Sequence, residues 1–77
     1  MRKKNMSLYE NIHKEIKILK HASKNNYDVA SQLVTESKIF FSVDEKHLPA
    51  MKKFCQDNFG ECEIIEQRGS KILCKVG

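Results

Sequence analysis

The stretch KIFFSVDEKHLPAMKKFCQDNF, residues 38–59, decides how this chain folds, because its hydrophobic period changes partway along. From Lys38 to Val43 the period is two: Ile39, Phe41 and Val43 point one way, Phe40 and Ser42 the other. Apolar residues on both faces predict a central strand covered on both sides. From Asp44 the period becomes helical. Leu48, Met51, Cys55 and Phe59 form one stripe with Phe54 beside it, while Lys52, Lys53 and Asp57 face water. Asp44 suits an N-cap, Pro49 is tolerated in or near the first turn, and Gly60 suits the C′ position that ends the helix.

Downstream, Glu61–Gln67 and Ser70–Val76 read as a hairpin turning at Arg68-Gly69. A two-residue loop pairs Glu66 with Lys71, Ile65 with Ile72, Ile64 with Leu73 and Glu63 with Cys74, although a longer loop is also compatible. Upstream, Ser7 and Glu10 fit a capping box opening a helix to Lys24. Its apolar stripe is Leu8, Ile12, Ile16, Leu19 and Ala22, with Tyr9 turned toward the core side. Lys14, Lys17, Lys20 and Lys24, with His13 and His21, fall opposite, and Asn25-Asn26 stops the helix. Asp28 then caps a short helix to about Thr35 through Val29, Leu33 and Val34, with a partly extended segment as the other reading.

These elements give an α+β domain of order α-(α)-β-α-β-β, with helices packed on a small three-stranded mixed sheet. The strand–helix–strand passage is long enough for a right-handed crossover between parallel strands. One sheet face takes the helix at 44–59; the N-terminal helix or a second subunit takes the other. Residues 1–6 form a basic arm and 7–77 the single domain. A chain of 77 residues buries only about 60% of the surface its unfolded form exposes, so partner binding is a natural supplement.

Residues 39–55 followed by the hairpin resemble the C-terminal half of the TusA-type sulfur-carrier fold, which has a strand ending in Asp, a helix with a Pro-x-x-x-Phe-Cys-like pattern, then two strands. The resemblance covers roughly residues 38–76 and implies a β-α-β-β sheet. That family's active-site motif, Cys-Pro-x-Pro, is absent here, so the resemblance carries no sulfur-carrier chemistry to this chain. A winged helix with Arg68-Gly69 at the wing tip is a second reading, which requires reassigning residues 28–43.

Composition narrows the function classes. The 40% hydrophobic content and the single proline fit a folded domain. Arg2, Lys3 and Lys4 precede polar residues where a signal peptide has an apolar core, and no apolar run approaches a spanning length. Cys55, Cys62 and Cys74 are odd in number and irregularly spaced, which points to free thiols in a reducing cytoplasm. The net charge of +4 is lopsided: residues 1–24 hold seven Lys/Arg against two acidic residues, the remainder seven against eight.

No residue pattern demands catalysis, a metal or another cofactor. The three Cys and three His residues show no C-x-x-C, H-x₃-H or H-E-x-x-H spacing. Each thiol reads more simply as a small buried hydrophobe than as a nucleophile. Asp44-Glu45 suits a helix N-terminus and Glu61/Glu63 a solvated strand edge, so neither pair calls for acid–base chemistry. Gly60 and Gly69 are a cap and a turn, not a phosphate loop.

The remaining feature is the basic helix. It predicts a non-enzymatic interaction or regulatory protein that docks on a protein partner through Lys14, Lys17, His21 and Lys24, with Arg2, Lys3 and Lys4 assisting. The alternative is a nucleic-acid-binding module using the same face, with Arg68 on the hairpin tip. A membrane-surface role is disfavoured, because the apolar stripe is expected to be used by the fold. A homodimer remains compatible with the size. Such a protein fits the accessory proteins of phages and mobile elements.

Overall fold

The computed structural model describes the backbone of residues 2–77 and the side chains of residues 8–77. Strand β2, Ile39–Asp44, buries Ile39, Phe41 and Val43 on one face, as its alternation predicts. The chain before it holds helix α1, Arg2–Asn25, and strand β1, Val29–Val34; the chain after it holds a 3-10 turn at Glu45–His47, helix α2 at Leu48–Phe59, and strands β3, Glu63–Arg68, and β4, Lys71–Val76. The order is α-β-β-α-β-β, and the four strands form one sheet in the spatial order β1-β2-β4-β3. Every neighbouring pair is antiparallel.

Four expectations change. Within the segment 28–35, Val29–Val34 is a strand, not a helix. Asp28 cannot act as a free cap, because its carboxylate pairs with Lys71 and its N–H donates to His47 Nδ1 at 2.9 Å. Val29 and Val34, poor helix formers, instead pair with Val43 and Ile39 of β2. Thr35 closes this hairpin: its hydroxyl oxygen accepts from the N–H of Ser37 at 3.2 Å and of Lys38 at 3.0 Å.

The sheet is four-stranded and antiparallel, not three-stranded and mixed. Strands β2 and β3 run the same way, but β4 lies between them. Strand β4 takes the central place because Ile72, Cys74 and Val76 give it a continuous buried face, whereas β3 carries Glu63, Glu66, Gln67 and Arg68 and is exposed throughout. The hairpin register also differs. Arg68 pairs with Lys71, Gln67 with Ile72, Glu66 with Leu73 and Ile64 with Cys74, leaving Ile65 as a bulge. The turn is therefore Gly69-Ser70, and Gly69 at φ 60° supplies the positive φ that a type II′ turn needs at its first central position.

Both helices pack on the same face of the sheet, so β2 is covered on one side only. Ile18 and Ala22 of α1 join Met51 and Cys55 of α2 over the buried residues of β2 and β4. Leu48, Phe54 and Phe59 pack around them, as the α2 stripe predicts. The other sheet face has no helix, and Phe40, Ser42 and Leu73 remain half-buried there. It is shallowly concave, a hollow of about 230 Å³ bordered by Gln32, Ser42, Glu66 and Leu73.

Helix ends follow the sequence in two of four places. Asn26 takes φ 59°, with its N–H donating to the Ser23 carbonyl at 3.2 Å and that of Tyr27 to the Ala22 carbonyl at 2.8 Å, a Schellman motif. Gly60 at φ 85° ends α2. Asp44 caps the 3-10 turn, accepting from the Lys46 N–H at 3.0 Å, and α2 proper starts after it. Helix α1, however, begins at Arg2, so the Ser7–Glu10 pair lies inside it and caps no end. The element order also differs from that of a winged helix. No helix among the described residues is long and apolar enough to cross a membrane.

Burial on one face makes the core sensitive to truncation. Phe41→Ala and Met51→Ala are each expected to cost about 2–5 kcal/mol in urea denaturation, while Leu33→Ala on the open face stays within about 0.5 kcal/mol.

Candidate docking surface and thiol cluster

The orientation of α1 is set by three residues on one line. Ile18 and Ala22 enter the core, and Asn11, buried to 7% exposure, donates from Nδ2 to the Thr35 carbonyl at 2.8 Å. Glu15, between them, accepts a hydrogen bond from the Ser31 hydroxyl of β1. With each residue advancing about 100° around the axis, this line shares only Ala22 with the stripe that the spacing of Leu8, Ile12, Ile16, Leu19 and Ala22 predicts, and Ile12 and Leu19 are half-buried beside it. That stripe lies to one side. Leu8 is 38% exposed, Ile16 43% and Tyr9 65%, so Tyr9 faces water and not the core. The helix is rotated because α1 must cover β1 as well as α2, and the polar ends of Asn11 and Glu15 find partners on β1 and in the turn that follows it.

The rotation divides the basic residues. Lys17, Lys20 and Lys24 are exposed, and His13 with them, on a face that adjoins Tyr9 and Ile16. Lys14 and His21 lie on the other flank, against α2. The His21 ring stacks on Phe54, centroids 4.0 Å apart and 12° from parallel, and Lys14 Nζ lies 5.7 Å above the Phe59 ring centre. Tyr27 bridges His21 and His47, at ring distances of 5.9 and 5.0 Å. Lys14 and His21 therefore pack between the helices, where the sequence suggests partner contact. Arg68 stands far along the chain at the β3–β4 turn and pairs with Glu66 at 3.0 Å. The side chains of Arg2, Lys3 and Lys4 lie outside the described residues.

A second constellation is absent from the sequence expectations. Cys55 on α2 and Cys74 on β4 are core residues, and Cys62, just ahead of β3, packs against the same core. Cys55 and Cys74 are fully buried; Cys62 is half-buried at the rim of the core. Hydrogen bonds from Cys55 and Cys74, helped by the charge of Lys52, hold the Cys62 thiol below the ordinary cysteine range against its own burial. The hydrogen bond to Cys62 and burial push Cys55 and Cys74 up. Among the described residues, no group of three or more His, Cys, Asp or Glu side chains is placed to hold a metal ion.

The expected β register hides this cluster. Pairing Glu63 with Cys74 puts Cys62 on the opposite sheet face from Cys74. The bulge at Ile65 changes that parity: Ile64 pairs with Cys74, and Cys62, two residues earlier, shares their face.

The division of the basic residues is measurable as stability. Lys14→Ala and His21→Ala are each expected to cost about 0.5–1.5 kcal/mol through lost contact with an aromatic ring. Lys17→Ala and Lys24→Ala are expected to stay within about 0.5 kcal/mol in the same denaturant titration. Compared with protein-family models, curated proteins and solved structures, the chain matches none.

Proposed function

We propose that this chain is a non-enzymatic docking protein whose α1 binds an acidic, amphipathic segment of a protein partner. The observation that carries the reading is the exposed part of the apolar stripe: Leu8 and Ile16, with Tyr9 beside them, stay exposed alongside Lys17, Lys20 and Lys24. An apolar ridge gains by burial against another apolar surface, at about 25 cal/mol per Å² removed from water. The adjoining lysines select a partner whose carboxylates flank that surface, and they raise its association rate. A second copy of this chain fits less well, because pairing two such helices sets like charges against each other.

Binding of nucleic acid is the second reading. Tyr9, exposed at 65% beside the lysines, offers a ring on which an unpaired base can stack. Phosphates, however, make no use of the exposed aliphatic side chains of Leu8 and Ile16.

Affinity capture from native extract separates the readings when wild type is compared with Lys17/Lys20/Lys24→Glu and with Ile16→Ser. Both substitutions lie on exposed positions and are expected to leave the circular dichroism spectrum unchanged. The docking reading predicts that the two variants lose the same captured proteins, by about tenfold or more for charge reversal, with nuclease making no difference. Loss of all capture after nuclease supports the nucleic-acid reading. Capture unaffected by either variant contradicts both.

A further inference from the structure

We propose that the uncovered face of the sheet is where two copies of this chain pair, sheet against sheet, as a weak two-fold dimer. Both helices pack on the other face, so this one shows Ala30 and Leu33 of β1, Phe40 and Ser42 of β2, and Leu73 of β4. Leu33 sits directly opposite Phe40, while Leu73 is paired with Ser42, two residues along β2 from Phe40 on the same face. Leu33, Phe40 and Leu73 thus make an apolar row across the middle of the sheet, with Leu33 53% exposed. Beside the row, the hollow of about 230 Å³ gives side chains of a second copy room to enter. Its polar border costs little to cover, because Gln32 Nε2 already donates to Ser42 Oγ at 3.2 Å. The bulges at Gln32 and Ile65 interrupt both sheet edges, which leaves the face as the route of association.

Charge selects a second copy as the occupant. The cations that β3 and β4 bring to this face are each held by a carboxylate of the same chain: Arg68 by Glu66 at 3.0 Å, Lys75 by Glu63 at 3.2 Å, and Lys71 by Asp28. A nucleic acid or an acidic segment has to break those pairs to bind. A second copy brings its own cations already paired, around an apolar row that matches the first, as a two-fold interface requires. The surplus positive charge sits elsewhere, on Lys17, Lys20 and Lys24 of α1, on the far side of the sheet. Two sheets stacked about 10 Å apart keep both α1 helices outermost, separated by well over a Debye length of about 8 Å. Pairing through α1 opposes these lysines; pairing through the sheet does not. The face is small. Four strands of six residues span about 20 by 20 Å, or about 400 Å² in projection from each copy. Two copies together fall short of the about 1,200 Å² at which stable complexes begin, so the dimer forms at high concentration and dissociates on dilution.

The test is sedimentation equilibrium of the full chain, with reductant present, from about 10 µM to about 1 mM. Wild type is expected to be monomeric at the low end and mostly dimeric at the high end. Leu33→Glu, at an exposed position on the edge strand, and Phe40→Ser are each expected to weaken association by about tenfold or more. Ile16→Ser, on α1, is expected to leave it unchanged. Amide chemical shifts of the wild type are expected to move on dilution at Leu33, Phe40, Ser42 and Leu73 and to stay fixed along α1. That mapping decides the matter even if Phe40→Ser fails to fold. A chain still monomeric at about 1 mM, an association lost in Ile16→Ser and kept in Leu33→Glu, or dilution shifts confined to α1 would overturn the proposal. So would binding of a mixed-sequence single-stranded RNA that Leu33→Glu and Phe40→Ser abolish, which would make nucleic acid the occupant of this face.

Discussion

Across the middle of the sheet, Ile39 pairs with Val76, Phe41 with Cys74 and Val43 with Ile72, and these six residues form the apolar patch on which the rest of the molecule is assembled. Among the described residues they make up six of the ten buried hydrophobic ones. Both helices must therefore reach it from the same side: α2 through Met51 and Cys55, α1 through Ile18 and Ala22. The strands without a full apolar face, β1 and β3, go to the edges. Each edge strand carries a bulge, at Gln32 and Ile65, which interrupts the regular row of backbone groups that another chain would need for pairing. A layer with helices on one side and an uncovered sheet on the other follows from having a single patch.

What the sequence made legible was whatever depended on neighbours close in the chain. The alternation of β2, the stripe of α2, the Asn26 stop and the Gly60 cap all describe local periods or backbone angles, and the structure contains each of them. What depended on distant partners was not legible. Asp28 reads as a cap until Lys71, 43 residues away, occupies its carboxylate. Register parity in the β3–β4 hairpin turns on one bulged residue, and with it the position of Cys62 relative to Cys74. The thiol cluster is thus invisible to spacing analysis, although all three cysteines lie in the half of the chain whose elements were recognised.

The same limit applies to α1. Its spacing shows a stripe at Leu8, Ile12, Ile16 and Leu19, and spacing alone cannot say which side of an amphipathic helix the fold consumes. Here a polar residue, Asn11, occupies a buried position because the Thr35 carbonyl satisfies it. Leu8 and Ile16 are left exposed. That surplus changes the reading of the basic helix from a solvated face into a mixed apolar and cationic surface. It also separates Lys17, Lys20 and Lys24, which face water, from Lys14 and His21, which pack against the aromatic rings of α2.

The account stands or falls on which side of α1 meets the sheet. Thermal unfolding of Ile18→Asn and Ile16→Asn, two residues apart on the same helix, tests that most directly. Ile18 is 1% exposed, and Asn there buries an unpartnered amide in the core, so its midpoint is expected to fall by about 15 °C or more. Ile16→Asn is expected to move the midpoint by no more than about 3 °C. Equal losses, or a larger loss for Ile16→Asn, would show that the aliphatic stripe is the packed face and that no free ridge exists for a partner.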